Sequence, residues 1–173
     1  MINIARFTNQ KDHLTLLKLV KKISKKLNVK LLIIGRGKNK ALMLEFIRKN
    51  NLQKIIKIIN FKKNPYPYLR LANLFILTSN FEGLPNVLLE AMQLKKYIIS
   101  TNCPTGPREI LKNGKLGSLA PIGDVSSLSK YVIDFTLKKK IINNKINEAF
   151  KSLKRFNYEN NLNKYYKTVI KIL

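Results

Sequence analysis

The 173-residue chain sets 34 Lys and Arg against nine Asp and Glu, for a formal charge of +25. With 45% hydrophobic and 25% charged residues it has the composition of a globular domain, which excludes a disordered chain. One cysteine and one histidine exclude an internal disulfide, an all-cysteine metal cluster and any His-rich metal site.

In chain order, "INIA" at 2–5 and "VKLLII" at 29–34 are short apolar runs of the kind that form buried parallel strands. "KIIKII" at 54–59, "LFILTS" at 74–79 and "YIIST" at 97–101 repeat the pattern. Between them lie helical patterns over 11–27, 39–50, 66–73 and 85–94. In the first, Leu16, Leu19, Val20, Ile23 and Leu27 share one face and most lysines the other. Beyond the last strand Glu109 opens a short helix, and Asp124 is a candidate N-cap for "VSSLSKYVIDFTLKK". Two further helices are expected near 140–154 and 158–172. Strands alternating with amphipathic helices predict an α/β domain: a Rossmann-like, doubly wound parallel sheet, helices on both faces, and a helical carboxy-terminus.

The positive charge raises a nucleic-acid or anionic-membrane surface as one reading. Only six of the 34 basic residues are Arg, the usual reader of base edges and phosphate forks, so no specific nucleic acid is expected. No apolar run approaches the roughly 18 residues of a membrane span, and the amino-terminus lacks a signal peptide's apolar core. A cytoplasmic protein is expected, with peripheral attachment to an anionic membrane as an option.

In a doubly wound sheet ligands bind beyond the carboxyl ends of the strands. The loops that end there are "RFTNQK", "GRGKNK", "NFEGLP" and "NCPTGP". None is a P-loop, and Gly35-Arg36-Gly37 lacks the third glycine of a dinucleotide fingerprint. In an acid-poor chain, "SNFEGLPNVLLEAMQLKK" holds both Glu82 and Glu90. Pro85 suits the first turn of a helix, where its missing N–H has no partner. On that helix Asn86, Glu90 and Gln93 fall on one polar stripe among apolar neighbours. A carboxylate beside Leu89 and Ala91 needs hydrogen-bond donors, which a sugar or ribose hydroxyl, a lysine or a backbone N–H would supply. Free N–H groups from Gly83 to Val87, with the helix dipole, suit a phosphate, and Arg6 and Lys11 can converge on it. The ligand that fits is a nucleotide-diphosphate sugar.

"EGLPNVLLE" resembles the E-x7-E signature of retaining, family-4-type glycosyltransferases (glycosyl transferases group 1). "ARFTNQKD", "NPYPYLRLANLFILTSNFEG", "TNCPTGPREILKNGKLGSLAPIGD" and "YENNLNKYYKTVI" resemble the family's flanking segments in order. The resemblance implies that residues 1–173 form a single donor-binding domain, the carboxy-terminal lobe of a two-lobed GT-B fold, with the amino-terminal acceptor lobe absent or supplied separately. It implies that Arg6 and Lys11 hold the donor diphosphate, Glu82 the transferred sugar and Glu90 the ribose. Gly83, Leu84, Pro85 and Asn86 would shape the phosphate site, and Asn60 and Phe61 would border the nucleobase. Ala5 and "GRGKNK" depart from the family pattern. The acceptor would be a glycan or lipid-linked sugar. With three Asp and no Asp-x-Asp pair, neither a metal nor another cofactor is expected. A non-catalytic nucleotide-sugar-binding fragment or partner subunit is the other reading.

Overall fold

The computed structural model describes residues 1–170. Its strands are β1 (Ile2–Ile4), β2 (Leu31–Gly35), β3 (Ile56–Asn60), β4 (Leu74–Leu77), β5 (Tyr97–Thr101) and β6 (Ser118–Ala120). The helices are α1 (His13–Ile23), α2 (Lys40–Lys49), α3 (Tyr66–Leu71), α4 (Asn86–Gln93), α5 (Pro107–Ile110), α6 (Val125–Leu137), α7 (Lys139–Ser152) and α8 (Tyr158–Ile170). Single turns of 3-10 helix occupy Asn9–Lys11 and Leu153–Phe156. All strands pair in parallel, in the order β3-β2-β1-β4-β5-β6.

The strands read as unbroken apolar runs because both faces of the sheet are covered. Side chains alternate between faces, so β4 sends Leu74 and Ile76 into one core and Phe75 and Leu77 into the other. The first core gathers Leu16, Val20 and Ile23 of α1, Met43 and Ile47 of α2, and Leu128 and Val132 of α6. The second gathers Leu69 of α3, Leu88, Ala91 and Met92 of α4, Ile110 of α5 and Ala149 of α7. Helix α1 follows β1 on one face and α4 follows β4 on the other. Between these two strands the order reverses, and a doubly wound sheet has its ligand crevice outside the carboxyl ends of the strands at that point.

The five expected strands and every expected helix are present with ends shifted by a few residues: β2 and β3 start later and run one residue further, and α5 opens at Pro107 rather than Glu109. The predicted helix over 11–27 begins at His13, because Asp12 acts as its cap. The Asp12 carboxylate accepts from the Thr15 N–H at 3.2 Å and from the Thr15 hydroxyl at 2.6 Å. Pro85 is the N-cap of α4 rather than its first residue. The sixth strand, "SLA", escapes a sequence reading because three residues carry no periodicity. It is drawn to the edge by β5, and a Cβ at Gly117 would approach the Ile98 carbonyl oxygen to 2.7 Å. Positions 171 and 172 of the last expected helix lie outside the described residues. None of the described helices is long and apolar enough to cross a membrane.

Candidate functional site

Backbone hydrogen bonds build the crevice first. The β1–α1 loop rests on the β2–α2 loop: the Phe7 N–H donates to the Arg36 carbonyl at 2.8 Å, and the Asn39 N–H to the Phe7 carbonyl at 3.0 Å. A Cβ at Gly35 would overlap the Ala5 carbonyl oxygen, and one at Gly37 would meet the Phe7 carbonyl oxygen at 2.5 Å. The pair of glycines therefore serves loop-on-loop packing. Across the crevice the same loop is tied to the β4–α4 loop. The Asn80 N–H donates to the Gln10 carbonyl at 2.8 Å, the Gln10 amide to the Phe81 carbonyl at 3.0 Å, and the Thr78 hydroxyl to the Asp12 carbonyl at 2.9 Å.

The acid and base of the two loops meet at the reversal point. The Lys11 Nζ lies 2.5 and 2.7 Å from the two carboxylate oxygens of Glu82, and the Ser79 hydroxyl donates to the same carboxylate at 2.6 Å. Their side chains are 14% and 5% exposed, so each charge depends on the other for compensation. This changes the expected picture of Lys11, whose ammonium is committed to Glu82. Arg6, five residues earlier, is exposed, and none of the ion pairs among the described residues involves it. The loop's unneutralised charge is therefore a guanidinium.

Gly83, Leu84 and Asn86 are exposed and Pro85 is buried. An added Cβ at Gly83 would meet nothing within 4 Å, so this backbone opens on free space. Glu90, one turn into α4, is half-buried rather than buried and faces a groove with Tyr66, Arg70, Gln93 and Phe156. Burial raises its carboxyl above the ordinary range, with no ion pair among the described residues to oppose the shift. The polar stripe of Asn86, Glu90 and Gln93 is the least buried line of this otherwise apolar helix. Asn60 ends β3 and Phe61 follows it, three strand spacings or roughly 14 Å from β4. The Lys40 ammonium donates to the Asn60 side-chain oxygen at 2.7 Å, and the Arg36 guanidinium lies 5.2 Å from the centre of the exposed Phe61 ring.

Thus Lys11 and Glu82 touch, Arg6 is exposed on the same loop as Lys11, Gly83 to Asn86 continue the chain from Glu82, Glu90 lines a separate groove, and Asn60 and Phe61 mark the far rim. Ser79, Arg36 and Lys40 were not singled out by the sequence. Nothing local signals them, since their partners lie on other loops or three residues round a bend. His13 packs edge-to-face on Phe7, and its Nε2 lies 3.1 Å from the Asn3 side-chain oxygen. Burial lowers its pKa to about 4, so it is neutral and structural. Cys103 is buried against the Ser79 carbonyl, its thiol pKa raised by desolvation. Among the described residues no three His, Cys, Asp or Glu side chains come together.

The sheet order and the crevice at its reversal define a Rossmann-like lobe of the GT-B type. The chain belongs to the glycosyl transferases group 1 family, whose model matches residues 1–166. It is 44% identical over 111 residues to an uncharacterized glycosyltransferase of Methanocaldococcus jannaschii, covering 64% of this chain and 27% of that one. It is also 27% identical over 152 residues to the N-acetylgalactosamine-N,N'-diacetylbacillosaminyl-diphospho-undecaprenol 4-alpha-N-acetylgalactosaminyltransferase of Campylobacter jejuni, covering 88% of this chain and 40% of that one. Its fold matches the crystal structure of Anabaena HepE in complex with UDP, with a TM-score of 0.87 at 17% identity, over 99% of this chain and 48% of that one. The chain thus spans between about a quarter and two fifths of these curated relatives.

Proposed function

We propose that this chain is the donor-binding lobe of a glycosyltransferase that moves a sugar from a nucleoside diphosphate to an acceptor hydroxyl. The observation that carries the reading is the bridge from Lys11 to Glu82 across the reversal point, with an exposed Arg6 on the Lys11 loop that enters no ion pair among the described residues, and open backbone at Gly83 ahead of α4. In transfer, the bond from the anomeric carbon to the diphosphate breaks with its electrons going to the phosphate oxygen. A new bond forms to the acceptor oxygen, whose proton is released. Negative charge grows on the leaving diphosphate, where Arg6 and the N–H groups of the loop from Gly83 to the start of α4 stabilise it. Glu82, held by Lys11 and Ser79, presents its carboxylate to the hydroxyls of the transferred sugar. Glu90 accepts the ribose hydroxyls from its groove, and the base lies toward Asn60 and Phe61.

Transfer proceeds with retention and without a metal ion in this reading, the cations being those of the side chains. The acceptor is a glycan or lipid-linked sugar, in keeping with the undecaprenol-linked substrate in the name of the Campylobacter relative. It would be held by a further lobe, and the lysine-rich surface would favour an anionic membrane. Titration calorimetry with UDP- and GDP-sugars tests the reading. Binding is expected to survive EDTA and to weaken about tenfold in Glu90→Ala, the cost of a lost charge-assisted hydrogen bond. Donor affinity unchanged by that substitution removes the assignment, and affinity lost to EDTA and restored by Mg²⁺ removes its metal-free form.

A further inference from the structure

Two carbonyls of the β4–α4 loop are held by the end of β5 and the loop that follows it. The Ser79 carbonyl accepts from the Thr101 hydroxyl at 2.5 Å and from the Cys103 thiol at 3.2 Å. The Glu82 carbonyl accepts from the Thr105 hydroxyl. The Gly83 carbonyl has no such donor among the described residues and is located by shape. A Cβ at Gly106 would overlap its oxygen, with the carbonyl carbon behind at 3.0 Å and the Pro85 Cδ at 2.7 Å. Only a residue without a side chain leaves room there, and at φ 69° the backbone itself also favours glycine.

In a planar trans peptide the C=O of one residue and the N–H of the next point in opposite directions. Residue 79 shows the consequence. Its carbonyl is held on the β5 side, and the Asn80 N–H accordingly reaches the Gln10 carbonyl on the β1 side at 2.8 Å. By the same geometry, pulling the Glu82 and Gly83 carbonyls toward Thr105 and Gly106 turns the Gly83 and Leu84 N–H groups the other way, toward Lys11 and the crevice. Neither N–H donates to an acceptor among the described residues. Two adjacent, parallel, unused donors beside a cationic loop suit the oxygens of a diphosphate.

We propose that Thr105 and Gly106 are positioning residues for the donor: from the neighbouring loop they aim the Gly83 and Leu84 N–H groups at the diphosphate. The inference rests on the donor-lobe reading and adds to it a pair of residues that never touch the ligand. Thr105 is exposed, so its substitutions leave both hydrophobic cores intact.

The test uses the ¹⁵N-labelled full chain with UDP, GDP, the matching nucleosides and inorganic pyrophosphate. In the wild type, the Gly83 and Leu84 amide resonances shift with the diphosphates and not with the nucleosides. Thr105→Val, equal in shape but without the donor, weakens the preferred nucleoside diphosphate about tenfold. Nucleoside affinity and melting temperature stay unchanged, and Thr105→Ser restores binding. Gly106→Ala gives a larger loss of the same kind. Equal diphosphate affinity in Thr105→Val and wild type, or amide resonances of Gly83 and Leu84 that ignore the diphosphate, overturns the positioning role while leaving a nucleotide site in place. A wild type that binds none of the diphosphates overturns the donor-lobe reading and this inference together.

Discussion

Lys11 and Glu82 neutralise one another at salt-bridge distance in a nearly buried setting, which makes each a structural group whatever it does for a ligand. Removing one partner strands a desolvated charge. Lys11→Met is therefore expected to cost about 3 kcal/mol of unfolding free energy, whereas the double variant Lys11→Met/Glu82→Gln, which removes both charges, recovers most of it. Urea unfolding of the three proteins decides the matter; equal losses in single and double variants would show that the pair is not coupled. Glu90 is the opposite case. Its carboxyl is shifted upward by burial with no fixed cation among the described residues, so it is a proton acceptor in want of donors. In the proposed donor complex the ribose diol would supply them, and the Glu90→Ala experiment reads their contribution. The two acids of the E-x7-E stretch thus differ in state although they are eight residues apart on the chain: one is satisfied by the protein and the other is not.

The elements follow from patterns that each segment carries in itself. The apolar runs of β2, β4 and β5, the periodic face of α1 and the Asp124 cap were all readable in the sequence alone. Asp124 fills the role its sequence context predicts. One carboxylate oxygen accepts from the Ser126 and Ser127 N–H groups at 2.8 and 3.0 Å, and the other from the Ser127 hydroxyl at 2.6 Å. Asp124→Ala is expected to lower stability by about 1 kcal/mol, while Asp124→Ser retains most of it, as chemical denaturation can measure. A silent Asp124→Ala would mean that the packing of Leu128 and Val132 alone holds α6. Element ends were less legible. Helix α1 starts two residues later than its periodicity suggests, because the Asp12 cap and the preceding 3-10 turn use residues that an apolar pattern cannot distinguish from helix. Strand β6 was invisible for a similar reason: three residues are too few to show a period, and its place comes from its partner.

Over the whole molecule the charge is the dominant feature. Against a net +25, the ion pairs among the described residues engage only Lys11, Lys49, Lys138 and Lys151. The folded state concentrates this like charge, and salt relieves it as the Debye length falls from about 30 Å at 0.01 M to about 3 Å at 1 M. The melting temperature is therefore expected to climb by several degrees as NaCl is raised across this range. A protein whose surface pairs outweighed self-repulsion would melt lower instead. Family membership, the α/β class and the order of most elements were written in local patterns, because burial of a strand or a helix face depends on residues close together in the chain. The site was legible only as a set of candidates. That Lys11 belongs to Glu82, 71 positions away, or that Thr105 grips the carbonyl of residue 82, depends on which loops the parallel strand order places side by side. Such pairings leave no periodic trace. They arise when two faces of a sheet are filled and the loops at its carboxyl edge are brought within hydrogen-bonding reach.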